Sequence, residues 1–161
     1  MSAGHHHDSE ALHVEAARRL DAVQSRYTTK RRLLVDVFEQ ADHPLSLPEV
    51  IAADSSLAQS SVYRNLAALE EAGVVRRIVT GDDFARFELA EELSGHHHHH
   101  LICRTCGTVA DFTLPTAVER SLAATFRDVS DAHGFSVQDH QVDLLGACAD
   151  CQDAARIGGD T

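Results

Sequence analysis

His96-His97-His98-His99-His100-Leu101-Ile102-Cys103-Arg104-Thr105-Cys106 separates two kinds of sequence in this chain. Before it, apolar residues recur at helical spacing; after it, the pattern turns to β-α-β. Five imidazoles run directly into a C-x-x-C pair, and a second pair, Cys148 and Cys151, follows. Neutral imidazole and thiolate are the commonest protein ligands for zinc-like metals. A histidine tract at a chain end would read as a purification tag. This one lies in the interior beside apolar β-formers and reads as part of the fold. On a strand, His98 and His100 face one way and His97 and His99 the other, so one tract can build two separate sites.

The cysteines read as one tetrahedral thiolate site, two sulfurs from each knuckle, holding structural zinc. Their spacer, the 41 residues 107–147, is longer than in an ordinary zinc ribbon. The site therefore pins the first strand to the far end of its domain. The rival is a redox dithiol, which lacks a preceding βαβ context here. Carboxylates able to complete the histidine sites stand at Glu88, Asp111 and Glu119, with further imidazoles at His43 and His140. Each has a plainer reading. Glu119 can close a capping box with Thr116, His43 can be a surface turn residue, and His140 can be an exposed strand histidine.

Working back towards the start, residues 1–9 are polar and read as a flexible N-terminus. A helix is predicted from Glu10 to about Ser25, with Leu12, Ala16, Leu20 and Val23 inward. A second runs from Thr28 or Thr29 to about Ala41 on Leu33, Leu34, Val37 and Phe38, and ends before Pro44. Ser46-Leu47-Pro48-Glu49 is a capping box opening a short third helix, with Val50 and Ile51 inward. The fourth helix, about Ala58–Ala72, stops at Gly73 and buries Val62, Leu66 and Leu69. Its first turns present Gln59, Ser60, Ser61, Tyr63 and Arg64, residue types that contact phosphates and base edges when a helix enters a major groove. Strands at Val74–Val79 and Phe84–Leu89 flank a Thr80-Gly81-Asp82-Asp83 turn. This order is a winged helix-turn-helix over residues 10–89; the plain alternative is a helical bundle with a hairpin.

Residues 90–97 read as a hinge. Residues 98–151 form a small α/β domain, followed by a tail at 152–161. Within it we expect strands His98–Cys103 and Thr108–Phe112, a helix Thr116–His133 with Val118, Leu122, Phe126 and Val129 on one face, and a longer strand or hairpin Phe135–Leu145. The fold class is thus α+β: a winged helix-turn-helix followed by a small α/β dimerisation domain. So small a module needs a partner to cover its sheet, which predicts a homodimer.

Charge narrows the function. The net charge is −11, which opposes bulk attraction to nucleic acid. It is uneven: residues 1–89 carry 10 basic and 14 acidic groups, residues 90–161 carry 4 and 11. Arg26, Lys30, Arg31 and Arg32, with Arg76 and Arg77, make local basic clusters that can still grip phosphates. The acidic second half suits cations. No apolar run reaches membrane-spanning length and no signal-peptide pattern opens the chain, so a cytoplasmic location and no membrane partner are expected. In that compartment paired cysteines favour a metal over disulfides. No H-x-E…P-C-x-x-C arrangement is present, and an enzyme is not expected.

Ser61-Val62-Tyr63-Arg64-Asn65-Leu66, Glu70-Glu71-Ala72-Gly73-Val74-Val75 and Arg86-Phe87-Glu88-Leu89 carry a resemblance, as do His98-His99-His100-Leu101-Ile102-Cys103-x-x-Cys106-Gly107, Ala132-His133-Gly134-Phe135 and Gly146-Ala147-Cys148-x-x-Cys151. In these motifs, over about residues 10–151, the chain resembles the ferric uptake regulator (Fur) family of metal-dependent repressors. The resemblance implies structural zinc on the four cysteines. It implies a regulatory metal held by His43, Glu88, His98, His100 and Asp111, and a second site of His97, His99, Glu119 and His140. Tyr63 and Arg64 match the family's recognition-helix contacts, and Arg31 its upstream basic residue. Two departures are a longer segment between Glu88 and His98 and the additional His96.

The expected function is a homodimeric, metal-responsive repressor that binds double-stranded operator DNA and senses Fe(II). The regulatory shell lacks thiolate, and zinc-sensing relatives often place a cysteine there. Zn(II) or Mn(II) sensing, peroxide sensing through the Asp111 position, and a histidine-rich metal buffer are the alternatives.

Overall fold

A computed structural model describes residues 9–79, 85–95, 97–138 and 140–157. The expectations for residues 1–8, for the Thr80–Asp83 turn, for His96 and for 158–161 lie outside these residues. The chain forms two compact units that divide between His96 and His97.

In the N-terminal unit, α1 (Ser9–Ala22), α2 (Thr29–Gln40), β1 (Leu45–Ser46), α3 (Leu47–Ala53) and α4 (Gln59–Glu71) precede β2 (Val75–Val79) and β3 (Ala85–Leu89). The strands form an antiparallel sheet in the order β1-β3-β2. This is the winged helix expected. Its core joins Leu12, Ala16 and Leu20 of α1, Leu34, Val35 and Phe38 of α2, Val50 of α3, and Val62, Leu66 and Leu69 of α4.

The stripes differ from expectation at two places. Val23 lies beyond the end of α1 and is exposed. On α2 the fully buried set includes Val35, while Leu33 and Val37 are only half-buried. A helix embedded between neighbours turns a broader arc inward than a single stripe marks. The capping box is present: the Ser46 amide donates to Glu49 Oε2 at 2.7 Å. After α4, Gly73 takes φ +66°, a left-handed conformation that a side chain would strain. That turn lets the Val74 amide reach back to the Leu69 carbonyl at 2.8 Å, closing the helix end. Within the expected hinge, Glu91–Ser94 form a one-turn helix, α5. Leu93 there belongs to the core of the N-terminal unit.

The C-terminal unit holds β4 (His99–Cys103), β5 (Val109–Phe112), α6 (Thr116–Ala132), β6 (Asp143–Gly146) and α7 (Ala149–Ile157). The sheet order is β5-β4-β6, with β4 antiparallel to β5 and parallel to β6. The long strand expected over Phe135–Leu145 is a correction: only Asp143–Gly146 pairs, and Phe135–Gln138 is irregular. Most of the expected tail is helical, because α7 begins inside the second cysteine pair.

Little of this unit is buried. Ile102, Cys103, Val109, His99, His100 and Ser130 are its buried side chains among the described residues. Leu101, Leu144, Leu145, Val118 and Val129 are exposed apolar groups. Apolar side chains left exposed on so small a unit point to an interaction face.

Candidate metal centres and recognition helix

The four cysteines converge. Their sulfurs lie within 4.8 Å of one another, and all four are free thiols. Cys106 and Cys148 sulfurs are 3.7 Å apart. The Gly107 amide donates to the Cys103 carbonyl at 2.9 Å, which folds the first knuckle. The Cys148 amide points at Cys103 Sγ from 3.3 Å. That amide, then the amide of Cys106, lowers the Cys103 thiol pKa to about 5. Cys151 is pushed up to about 12, chiefly by hydrogen bonding to Cys148 and then Cys106. Four sulfurs this close cannot all carry charge unless a cation sits among them. The donor set therefore fits a tetrahedral zinc, which would fasten β4 to the start of α7.

Strand alternation on β4 builds the two histidine groups. On one side, His97, His99, Glu119 and His140 bring a ligand atom each within 4.8 Å of the others. His99 Nε2 is 2.8 Å from Glu119 Oε1, and His97 Nε2 is 3.5 Å from Glu119 Oε2. Burial acts to raise the Glu119 pKa, but the His99 hydrogen bond and the charges of His99, His97 and His140 outweigh it, and the net shift is downward. His99 is 1% exposed, and its Nδ1 has no hydrogen-bond partner among the described residues. A buried imidazole nitrogen left without a donor or acceptor suits a metal ligand. The capping role weighed for Glu119 is not what its side chain does: the N-cap of α6 is Pro115, and the carboxylate faces the imidazoles.

On the other side, His98 Nε2 and His100 Nε2 each lie 4.0 Å from an oxygen of Asp111. The two rings stand edge to face, centroids 5.1 Å apart. His100 is fully buried, and its Nδ1 is 3.2 Å from Asp143 Oδ1. Asp143 was not among the residues expected here. It reaches His100 because β6 runs parallel to β4 with His100 opposite Asp143. A carboxylate behind an imidazole orients the ring and fixes which nitrogen is free for a metal.

The two ligands expected from the winged unit are both engaged there. Glu88 Oε1 accepts two bonds from Arg76, at 2.9 and 2.5 Å. His43 Nδ1 is 2.6 Å from Asp42, and its Nε2 is 3.7 Å from Glu49.

On α4, Gln59, Ser60, Tyr63 and Arg64 are exposed, Tyr63 at 56%. Ser61 corrects the expectation that it faces DNA. It is buried, with its hydroxyl 3.2 Å from Asn65 Nδ2 and 3.4 Å from Lys30 Nζ. One helical turn carries Ser61 and Asn65 to the face towards α2. Arg31 is likewise occupied: it donates to Asn65 Oδ1 at 3.2 Å, to Ser25 Oγ at 2.7 Å and to the Arg26 carbonyl. In this structure Arg31 braces α4 from α2.

One unit is a winged helix, and the other gathers three groups of side chains able to ligate metal ions. The model of the Ferric uptake regulator family matches residues 22–145. The ferric uptake regulation protein of Bordetella parapertussis is 35% identical over 130 residues, 78% of this chain and 88% of that protein. The peroxide-responsive repressor PerR of Staphylococcus saprophyticus is 34% identical over 98 residues, 61% of this chain and 60% of that protein. The structure of the Helicobacter pylori ferric uptake regulator Fur, described with three functional metal binding sites, superimposes with a TM-score of 0.66 at 24% identity, covering 89% of this chain and 93% of that one. The chain belongs to the Ferric uptake regulator family, a family of metal-responsive transcription regulators. No helix among the described residues is long and apolar enough to cross a membrane.

Proposed function

We propose that the protein is a homodimeric, metal-activated repressor that binds double-stranded operator DNA and senses Fe(II). The observation that carries this reading is the division of labour on β4. Thiolates are gathered into one cluster, while His98, His100 and Asp111 form a separate shell of imidazole and carboxylate. A shell of that composition suits exchangeable Fe(II), with Mn(II) and Zn(II) as competitors. Cysteine-bound zinc holds the C-terminal unit together, and a second copy covers its exposed Leu101, Leu144 and Leu145.

In this reading, His43 and Glu88 of the winged unit complete the regulatory shell. Metal then favours the arrangement in which the two recognition helices of the dimer sit about 34–36 Å apart, one helical turn of DNA. Metal-free protein samples other arrangements, and its apparent affinity falls by the competent fraction. Gln59, Ser60, Tyr63 and Arg64 meet the DNA, while Ser61 and Arg31 hold the helix that presents them. The second histidine group, His97, His99, Glu119 and His140, binds a further metal that stiffens the C-terminal unit.

The test is an anaerobic titration of Fe(II), Mn(II) and Zn(II) into the zinc-loaded protein, followed by anisotropy of a labelled operator from the protein's own promoter. Operator binding that rises with Fe(II) at the lowest free concentration supports the reading. Binding that ignores metal refutes it. Similarity to a peroxide-responsive repressor and the carboxylate at Asp111 favour one variant: Fe(II)-loaded protein exposed to peroxide loses operator binding and gains oxygen on His98 or His100. Peroxide-treated protein without that added mass rules the variant out.

A further inference from the structure

Ser9 and His13 stand one turn apart on α1 and face Asp36 and Glu39, one turn apart on α2. His13 is 3% exposed, and its Nε2 lies 2.9 Å from Asp36 Oδ1. Its Nδ1 is 2.6 Å from the Tyr27 hydroxyl. The Ser9 hydroxyl donates to Glu39 Oε2 at 3.0 Å. One ligand atom each from His13, Asp36 and Glu39 fall within 4.8 Å of one another. No Lys or Arg of the described residues pairs with either carboxylate; Arg32, on the same helix, reaches Glu10 at 3.7 Å. Two carboxylates therefore meet one imidazole, and the nearby Arg32 is paired with Glu10.

We propose that His13, Asp36 and Glu39 bind a divalent transition-metal ion, at a site within the winged unit and separate from the histidine tract. The chemistry is consistent with the hydrogen bonds. In one tautomer of the ring, Nε2–H donates to Asp36 and Nδ1 accepts the Tyr27 O–H. With metal, the ring takes its other tautomer: Nδ1–H donates to the Tyr27 oxygen, and the Nε2 lone pair turns to the ion. Both tautomers carry one ring proton, so exchange between them needs no net proton transfer. Burial pushes the Tyr27 hydroxyl pKa well up; it keeps its proton and can change from donor to acceptor. Such a partner behind a ligating imidazole is the usual orienting element of a metal site.

One imidazole and two carboxylates suit Zn(II), Mn(II) or Fe(II) better than a soft ion. Bound metal would join α1 to α2, the helix whose Arg31 braces Asn65 on the recognition helix. Metal at this site thus stabilises the frame that presents Tyr63 and Arg64.

The test uses the full-length protein with its cysteine zinc in place. Mn(II) equivalents bound per chain are counted by equilibrium dialysis in wild type, Asp36→Asn and Glu39→Gln. The expected result is one equivalent fewer in each variant, with cysteine zinc unchanged. In parallel, sub-stoichiometric Mn(II) should broaden the ring resonances of His13 and Tyr27 in the wild type and leave them sharp in Glu39→Gln. Glu39 is half-exposed, and glutamine keeps an oxygen for Ser9, so this variant folds even if a change at buried His13 does not. Equal equivalents in all three proteins, or unbroadened His13 and Tyr27 signals in wild type, would show the group to be a structural hydrogen-bond network and overturn the proposal.

Discussion

His100 Nδ1 lies 3.2 Å from Asp143 Oδ1, across a parallel pairing that sets these two residues side by side. Asp143 thus holds the far side of a ring whose Nε2 faces Asp111. Asp143→Asn is expected to weaken metal binding at the His98–His100–Asp111 group by about 10–100-fold, the usual cost of losing an orienting partner. Competition against a chelating dye measures it. Affinity within error of wild type would remove Asp143 from the site.

The two faces of β4 should separate genetically. His98→Ala/His100→Ala should keep the cysteine zinc and the dimer yet lose metal-dependent operator binding. His97→Ala/His99→Ala should retain part of the response at high metal. Anaerobic anisotropy titrations compare them, and superimposable curves would mean one diffuse site.

Removing a cysteine removes folding free energy, since a structural metal contributes directly to the folded state. Cys103→Ser and Cys148→Ser should lose zinc, far-UV ellipticity from the C-terminal unit, and the dimer. Zinc analysis with sedimentation velocity tests this; a stable zinc-free dimer contradicts it.

If α4 reads DNA as proposed, Arg64→Ala should weaken operator binding and flatten its salt dependence, because one phosphate-neutralising or base-reading charge is gone. Ser61→Ala should act differently. Ser61 is buried against Asn65 and Lys30, so it should lower thermal stability more than sequence preference. Gel shifts on operator and mutated operator, paired with melting curves, distinguish the two effects.

Acid should loosen the start of α3. Burial raises the Glu49 pKa, but bonds from the Ser46 hydroxyl and amide, with the charges of Arg86 and His43, more than reverse it. The folded-state value is therefore below the ordinary carboxylate range. Its stabilisation is present above that range and is lost as pH falls through the depressed value. Ser46→Ala should cost about 1 kcal/mol at neutral pH, the typical worth of such a cap. Glu49→Gln should lower the melting temperature at neutral pH and have little effect once the wild-type carboxyl is protonated. An equal effect at both pH values would refute the assignment.

Local patterns were readable in the sequence. The bounds of α4, its stop at Gly73, the capping box and the two C-x-x-C pairs follow from neighbours a few positions apart. The two-sided use of His97 to His100 followed from alternation alone. Longer-range features were hidden. Asp143 meets His100 only through a crossover containing β5 and α6, and no local signal sets that register. The inward turn of Ser61 and Arg31 depends on how α2 and α4 rotate against each other. The Cys148–Cys151 pair read as a knuckle concealed a helix starting at Ala149. His13 sat among apolar residues with no motif to single it out, and only packing shows that it is buried.

The histidine tract has a consequence for inheritance. Each position from His97 to His100 serves one face or the other by parity alone, and the residue before them, His96, is another histidine. If the cysteines keep their place, loss of a single histidine codon shifts only the residues before it, and histidines still fill positions 97 to 100, two for each face. A repeat of identical ligands thus protects both centres against the commonest slip of a copying polymerase, where a mixed sequence would lose both at once.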